Sequence, residues 1–309
     1  NGHDVCCILL EETENRTQWV ETFGEEHLFF VRTTPKRKDP LRSGVRFFSE
    51  CLKIRSKFRR ICFDLTIRTF FNPYDQYILR FVRTNKNALI CHDPVPHEGM
   101  DARAAKMNRE ALCRADDLIV LTKAFIPVAA EEYGKKPSQI HYMRHGLMTY
   151  PRNENGVEKA DPAGSIRFLF FGRIAPYKGL PLLAAAYKNL SERFSNISLT
   201  IAGSGDFADA AEKFKDLPSL QIINRYIADD EVGSFFDTGN TVVVLPYTNA
   251  SQSGVIPIAF AYGVPVISAD TGGLVEQLFD GKYGVLFQSG DVRALTDAMA
   301  GFINAPEKY

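Results

Sequence analysis

Hydrophobic positions in this chain fall into short unbroken runs separated by longer mixed stretches. The runs Asp4–Leu10, His27–Arg32, Asn87–Cys91, Asp116–Leu121, Ile140–Met143, Ile166–Phe171, Leu199–Ala202, Leu220–Asn224, Thr241–Leu245, Val264–Ser268 and Gly284–Phe287 read as strands. Unbroken apolar runs, rather than alternation, mark strands covered on both faces. Between them lie helical patterns: Met107–Cys113, a segment capped by Thr122, Pro181 to about Phe194, Asp229–Asp237, Val255–Tyr262, and Asp291–Phe302 with Asp291 as its cap. Glu11–Glu26 is polar and Glu-rich, a loop or short helix. Strands alternating with helices predict an α/β chain built on doubly wound parallel sheets.

One stretch concentrates the pattern. From Leu245 to Glu276 a strand ends, the chain turns through Pro246 and a polar loop, and an apolar helical run starts after Gly254. It stops at Gly263, before a second strand and a Gly-Gly loop. This is a βαβ unit. The loop Ala250–Ser253 sits at a strand's carboxyl end and before a helix, where free N–H groups favour an anion. A simple capped helix start explains SQSG equally well.

Composition narrows the class. The chain has 309 residues, 45% hydrophobic and 24% charged, with zero net charge. Its length suits two domains. Residues 1–150 carry 24 Lys+Arg against 19 Asp+Glu, and residues 151–309 carry 13 against 18. Net values of +5 and −5 support a boundary near 150 and exclude a polybasic nucleic-acid binder. Thr149–Ser165 is polar with two Pro and two Gly and reads as the hinge. The predicted division is 1–150, a linker at 151–165, and 166–309. All six cysteines lie in the first half without C-x-x-C spacing, which argues against a zinc or redox motif and for buried thiols of a reducing compartment. No run reaches the ~18 apolar residues of a membrane span, and no signal peptide is present. The opening NGHDVCCILL enters a strand almost at once, so an upstream segment is expected.

Candidate chemistry gathers at strand ends. After Ile166–Phe171 come Gly172, Arg173 and, five residues on, Lys178, with a Pro turn between them and a helix after. A forked guanidinium and a point-charge ammonium beside a helix start suit a diphosphate, and the absence of G-x-x-x-x-G-K rules out a Walker loop. Gly203-Ser204-Gly205 follows the next strand; phosphate contact and close backbone packing account for it equally. Arg225 and Tyr226 follow Leu220–Asn224, where the tyrosine supports a flat base or simply the core. In the first half, His92, Asp93, His97 and Glu98 cluster around two prolines, and His145 ends another strand. A positioned acid/base or substrate ligand fits them better than a metal, since no third His or Cys lies nearby in sequence.

Lys36–Arg60 holds ten Lys+Arg against two acids, with Val45, Phe48, Leu52, Phe58 and Ile61 spaced as one helical face. Such a segment either lies on an anionic membrane or turns a solvated basic face outward. Arg68–Phe71 and Tyr74–Phe81 extend the helical reading.

Four blocks in order, FFGRIAPYKGL, IAGSG, LPYTNASQSGVIPIAFAYGVPVIS and TGGLVEQLFDGKYGVLF, resemble the donor domain of family 4 glycosyltransferases. HDPVPHEG with ADDLIVLTKA resembles the acceptor domain of a bacterial subgroup acting on cell-surface polysaccharides. The resemblance implies the GT-B fold, two Rossmann-like domains facing a cleft. It implies that a first strand with its Gly-rich loop precedes Asn1 and that a closing helix follows Tyr309. It assigns the donor's diphosphate to Arg173 and Lys178 and to N–H groups of Ser253, Gly254 and Val255. It assigns the nucleobase to Arg225 and Tyr226 and the transferred sugar to His92. Gly172, Gly203, Ser204, Ser251 and Gln252 complete the donor side, and Asp93, His97 and His145 stand on the acceptor side. One departure is plain. Where the family carries E-x7-E, this chain has Ala250 or Ser251 and Ile258 or Ala259, and Gly254 to Gly263 is one residue shorter than usual. A residue of Ser251–Ser253 then takes over the ribose.

The implied activity is retaining, metal-independent hexosyl transfer from a UDP- or GDP-sugar to a glycan or lipid-linked acceptor. No cofactor is expected beyond the nucleotide sugar, and no nucleic acid. Peripheral membrane contact through Lys36–Arg60 would place the protein in the cytoplasm at the inner face of the membrane. Two rivals share the fold expectation: a non-catalytic nucleotide-sugar or glycan binder, and a nucleotide-sugar epimerase.

Overall fold

The computed structural model describes residues 2–13, 15–32, 40–70, 72, 74–92, 102–150, 165–237, 239–305 and 308. Contacts divide the chain into two units, one of Asn1–Cys91, Pro96–Ile119 and Tyr133–Gln139, the other of His92–Val95, Val120–Glu132 and Ile140–Tyr309. The expected boundary at 150 falls inside the second unit, and the expected linker lies outside the described residues except for Ser165.

The first part of the chain runs β1 (Cys7–Leu10), α1 (Arg16–Phe23), β2 (Leu28–Val31), α2 (Pro40–Lys57), β3 (Phe63–Arg68), a single turn α3 (Asp75–Ile78), β4 (Thr84–Cys91), α4 (Ala102–Arg114), β5 (Asp117–Val120), α5 (Phe125–Tyr133) and β6 (Ile140–Tyr142). β1 and β2 form a parallel pair, and β3–β4–β5–β6 a four-stranded sheet.

Two expectations fail in this part. The helical reading of Arg68–Phe71 does not hold, because Arg68 closes β3, a strand paired in parallel with β4. Its polarity is inverted: Leu65 and Ile67 are exposed while Arg68 is buried and donates to Asn87 Oδ1 at 3.2 Å. A strand with apolar side chains outward and a cation inward carries no ordinary burial signal. Asp75, packed near Arg68, is pushed up by burial to about 6, against the pull of that guanidinium. The second correction concerns α2. The face that enters the core is Cys51 and Ile54, continued by Phe58 beyond the helix end, with Phe47 packed against them. Val45, Phe48 and Leu52 form a separate, outward stripe. The single predicted face merged two.

The second unit continues with β7 (Ile166–Phe171), α6 (Leu180–Ser191), β8 (Ile197–Gly203), α7 (Ala208–Phe214), β9 (Leu220–Asn224), α8 (Asp229–Phe236), β10 (Thr241–Leu245), α9 (Val255–Ala261), β11 (Val266–Ala269), α10 (Gly273–Gln277), β12 (Val285–Phe287) and α11 (Val292–Asn304). Its six strands lie in the order β12-β11-β10-β7-β8-β9, every pairing parallel. Central β7 and β10 are buried throughout, as their unbroken apolar runs require. Arg167 interrupts β7 with a charge, and the fold meets it with the Thr241 hydroxyl at 2.9 and 3.1 Å and the Phe235 carbonyl at 2.5 Å. A buried cation is tolerable only with such partners. α11 starts where Asp291 accepts from the amides of Arg293 and Ala294, the predicted cap. The strand order reverses between β7 and β10. At such a switch point the loops leaving the two carboxyl ends diverge and leave room for a ligand.

Candidate functional site

The loops leaving β7 and β10 bring the predicted cations together. After β7, Gly172 keeps strand pairing by donating to the Ala202 carbonyl at 2.9 Å, and Pro176–Lys178 forms one 3-10 turn before α6. The loop after β10 is tied to this turn: the Thr248 amide and hydroxyl both donate to the Tyr177 carbonyl, at 2.9 and 3.2 Å. Arg173 is exposed and donates to the Tyr177 hydroxyl at 2.9 Å.

Tyr247 forms the floor. It is fully buried, and the Lys178 ammonium lies 3.7 Å from its ring centroid. Such a stack contributes about 0.5–2 kcal/mol, rising as water is excluded. The Tyr247 hydroxyl lies 3.4 Å from Ser253 Oγ, and burial pushes its phenol up to about 12, so it stays protonated. One aromatic side chain thus links the β7-loop cation to the loop ahead of α9. Nothing in the residue pattern marked Tyr247; it follows a strand and a proline like any core aromatic.

The Ser251–Gly254 loop is held by α10, the helix that follows β11. The Gln277 side-chain amide clamps the Ser253 backbone, its Oε1 accepting from the Ser253 amide at 2.8 Å and its Nε2 donating to the Ser253 carbonyl at 3.0 Å. The Val255 amide donates to Ser253 Oγ at 3.3 Å. Of the three N–H groups expected to face phosphate, those of Ser253 and Val255 are therefore engaged by the protein, leaving that of Gly254. Gly254 is itself exposed. Gln252 Nε2 pairs with His92 Nδ1 at 3.1 Å, while Gln252 Oε1 is buried with no partner among the described residues. The Ser251 carbonyl accepts from the Thr122 hydroxyl at 3.4 Å.

Of the residues at the places of the two expected glutamates, Ala250, Ile258 and Ala259 are buried and apolar, and Ser251 is half-buried. The half-buried Glu276 carries a carboxylate close to the loop. Its Oε2 accepts from the Lys123 amide at 2.7 Å, and its Oε1 is buried without a partner among the described residues. Burial first, and Glu276 second, push the Tyr142 phenol up.

The remaining candidates separate. Gly205 after β8 is clamped by the Asn224 side-chain amide, which accepts from its amide and donates to its carbonyl, both at 3.2 Å. The Ser204 carbonyl accepts from Ile174, so Gly203 and Ser204 wall the β7 loop. Arg225 is committed to Glu231 through a two-pronged ion pair of 2.6 and 2.8 Å, which holds the Glu231 carboxyl down at about 2. Tyr226 beside it is 63% exposed, a face open to stacking. His145 makes a local contact with the Gly146 carbonyl at 3.2 Å. Asp93 and His97 lie outside the described residues.

Comparison with known proteins adds the family context. Residues 165–305 match the family model described as glycosyl transferases group 1. A D-inositol 3-phosphate glycosyltransferase of Arthrobacter sp. is 30% identical over 156 residues, 47% of this chain and 36% of that one. Another from Corynebacterium urealyticum is 27% identical over 252 residues, 74% and 59% of the two chains. A GDP-mannose-dependent alpha-(1-6)-phosphatidylinositol monomannoside mannosyltransferase of Mycolicibacterium smegmatis is 26% identical over 145 residues, 44% and 38%. The chain thus spans between 36% and 59% of the length of these relatives. Among solved structures, sucrose-phosphate synthase from Thermosynechococcus elongatus superposes with a TM-score of 0.65 at 20% identity, over 91% of this chain and 74% of that one. Anabaena Alr3699/HepE in complex with UDP and glucose gives 0.64 at 17%, over 94% and 80%. The fold is that of the GT-B glycosyltransferases, the homologues are glycosyltransferases, and residues 165–305 carry the match to group 1.

Proposed function

We propose that the second unit binds the diphosphate of a UDP- or GDP-sugar and that the chain transfers the sugar, with retention of configuration, to a glycan or lipid-linked acceptor in cell-surface polysaccharide synthesis. The observation that carries this reading is the Lys178–Tyr247–Ser253 stack at the switch point, with Arg173 on the same loop. As the bond from the anomeric carbon to the diphosphate breaks, negative charge grows on the leaving oxygen. Fixed cations and amides stabilise that charge without reorganising, often the largest contribution in catalysis. With Arg173 and Lys178 supplying the charge, transfer proceeds without a divalent metal. His92, which pairs with Gln252, is the residue we assign to the transferred sugar. Both bases find support among similar proteins, since one relative is named GDP-mannose-dependent and one structure holds UDP and glucose.

The test is a scan of UDP, GDP and their sugars by thermal shift, followed by transfer assays with an acceptor mixture in EDTA. A nucleotide at 100 times its Kd stabilises by about 2.7 kcal/mol. One nucleotide class should raise the melting temperature, with transfer surviving EDTA. No shift with any nucleotide sinks the reading, and binding without turnover moves the protein to a non-catalytic nucleotide-sugar binder.

The outward stripe of α2 supports docking at the inner face of an anionic membrane. Val45, Phe48 and Leu52 are 72%, 55% and 47% exposed. At 100° per residue they fall within an arc of about 60°. The exposed residues Arg46, Lys53, Arg55, Arg59 and Arg60 belong to the same segment. No helix among the described residues is long and apolar enough to cross a membrane, so attachment of this kind is peripheral. An apolar stripe with a basic surround inserts shallowly and is held by anionic headgroups. The protein should sediment with vesicles containing phosphatidylserine but not with pure phosphatidylcholine. Phe48→Asp with Leu52→Asp should reduce that binding at least tenfold. Equal sedimentation of the double variant would remove α2 from the contact.

A further inference from the structure

Three side chains of different ligand chemistry converge just ahead of the β1–β2 pair. The parallel register sets Cys7 opposite Leu28, so the residues preceding them, Cys6 and His27, are neighbours across the two strand starts. His27 Nδ1 lies 3.1 Å from Asp4 Oδ1 and 3.8 Å from Cys6 Sγ. All three ligand atoms lie within 4.8 Å of one another. In a tetrahedral zinc site with bonds of about 2.0–2.3 Å, ligand atoms stand about 3.3–3.7 Å apart. The two His27 separations bracket that edge length, and small side-chain rotations close the third. Cys6 and His27 are half-buried while Asp4 faces solvent, which leaves a fourth position open to water.

The other imidazole nitrogen supplies an independent observation. His27 Nε2 lies 3.6 Å from Glu26 Oε1. A carboxylate beside the distal ring nitrogen favours the proton on that side once a cation takes the near nitrogen, the usual arrangement behind a metal-bound histidine. The donor set also selects the ion. A thiolate and an imidazole beside one carboxylate favour zinc-class cations over magnesium or calcium. Thiolate and carboxylate together balance a divalent charge.

We propose that Asp4, Cys6 and His27 form a zinc(II)-binding site, with Glu26 orienting the imidazole, that pins the starts of β1 and β2 together. The site belongs to the first unit, the Arg173–Lys178 loop to the second, and the proposal does not depend on the transfer reaction. The surface alternative is an Asp4–His27 ion pair with no metal affinity.

Cobalt(II) titration of the full chain, purified free of metal, tests the proposal. One equivalent should give a thiolate-to-cobalt charge-transfer band with the visible spectrum of a tetrahedral ion, and zinc should displace it. Cys6→Ser should abolish the charge-transfer band. Glu26→Gln, at a side chain 75% exposed and safe for folding, should weaken zinc binding about tenfold in chelator competition. Replacing the exposed thiols Cys62 and Cys113 with serine should change neither result. The proposal is overturned by a titration without the charge-transfer band, by a band that survives Cys6→Ser, or by one lost with Cys62 and Cys113.

Discussion

Alanine at Lys178 or at Arg173 should lower glycosyl transfer by about 10²-fold or more, a loss of about 2.7 kcal/mol of transition-state stabilisation. The two losses should differ in kind. Lys178 is held against the buried Tyr247 ring, so on the proposed reading its ammonium needs little reorganisation before the reaction. Its removal should fall mainly on kcat. Lys178→Arg keeps the charge on the aromatic face and should recover part of the rate, whereas Lys178→Met should not. Arg173 is exposed and held by one hydroxyl, that of Tyr177. It must close on the diphosphate after binding, so Arg173→Ala should raise KM as well as lower kcat. Steady-state rates at varied donor concentration separate the cases. Near-normal transfer by either alanine variant would remove that cation from the leaving-group site.

The cations were legible because their chemistry is local: a forked and a point charge five residues apart, between a strand and a helix. The second unit was legible for a related reason. Its central strands are covered on both faces, so β7 and β10 appear as apolar runs with the same limits in sequence and structure. Residues that act from distant positions in the sequence were not legible. Gln277 holds Ser253 from 24 positions away, and Glu276 receives the Lys123 amide from 153 away. No periodicity records a bond of that span. Tyr247 was hidden by its ordinariness, since a buried tyrosine after a strand predicts packing and not a platform for a cation. In the first unit, β3 and α2 each broke the assumption that apolar side chains face inward. Both carry exposed apolar residues, and a pattern method assigns these to the core by construction.

Three glycine-to-alanine changes should separate backbone strain from close packing in the second unit. Gly239 sits in a turn without positive φ, and a Cβ there meets nothing within 4 Å. Alanine should be neutral there, or slightly stabilising through the unfolded chain. Gly263 ends α9 at φ +67, its amide donating to the Phe260 carbonyl, and a Cβ again meets open space. Only the left-handed conformation is at stake, so alanine should cost about 1 kcal/mol. Gly179 has nearly the same φ, +69, but its Cβ would overlap the Pro246 carbonyl. It begins α6, directly after Lys178, at the point where the β7 and β10 loops touch. Alanine there carries the same conformational cost plus the displacement of a backbone that cannot rotate away, about 3 kcal/mol in all. Melting temperatures for a unit of this size should fall by about 2–4 °C per kcal/mol, giving a graded series in the order Gly239, Gly263, Gly179. The Gly179 variant should also lose nucleotide-induced stabilisation, because the two loops it forces apart carry Lys178 and Tyr247. Equal destabilisation at Gly179 and Gly263 would mean the loops yield freely, and the switch-point geometry would then not be a rigid scaffold.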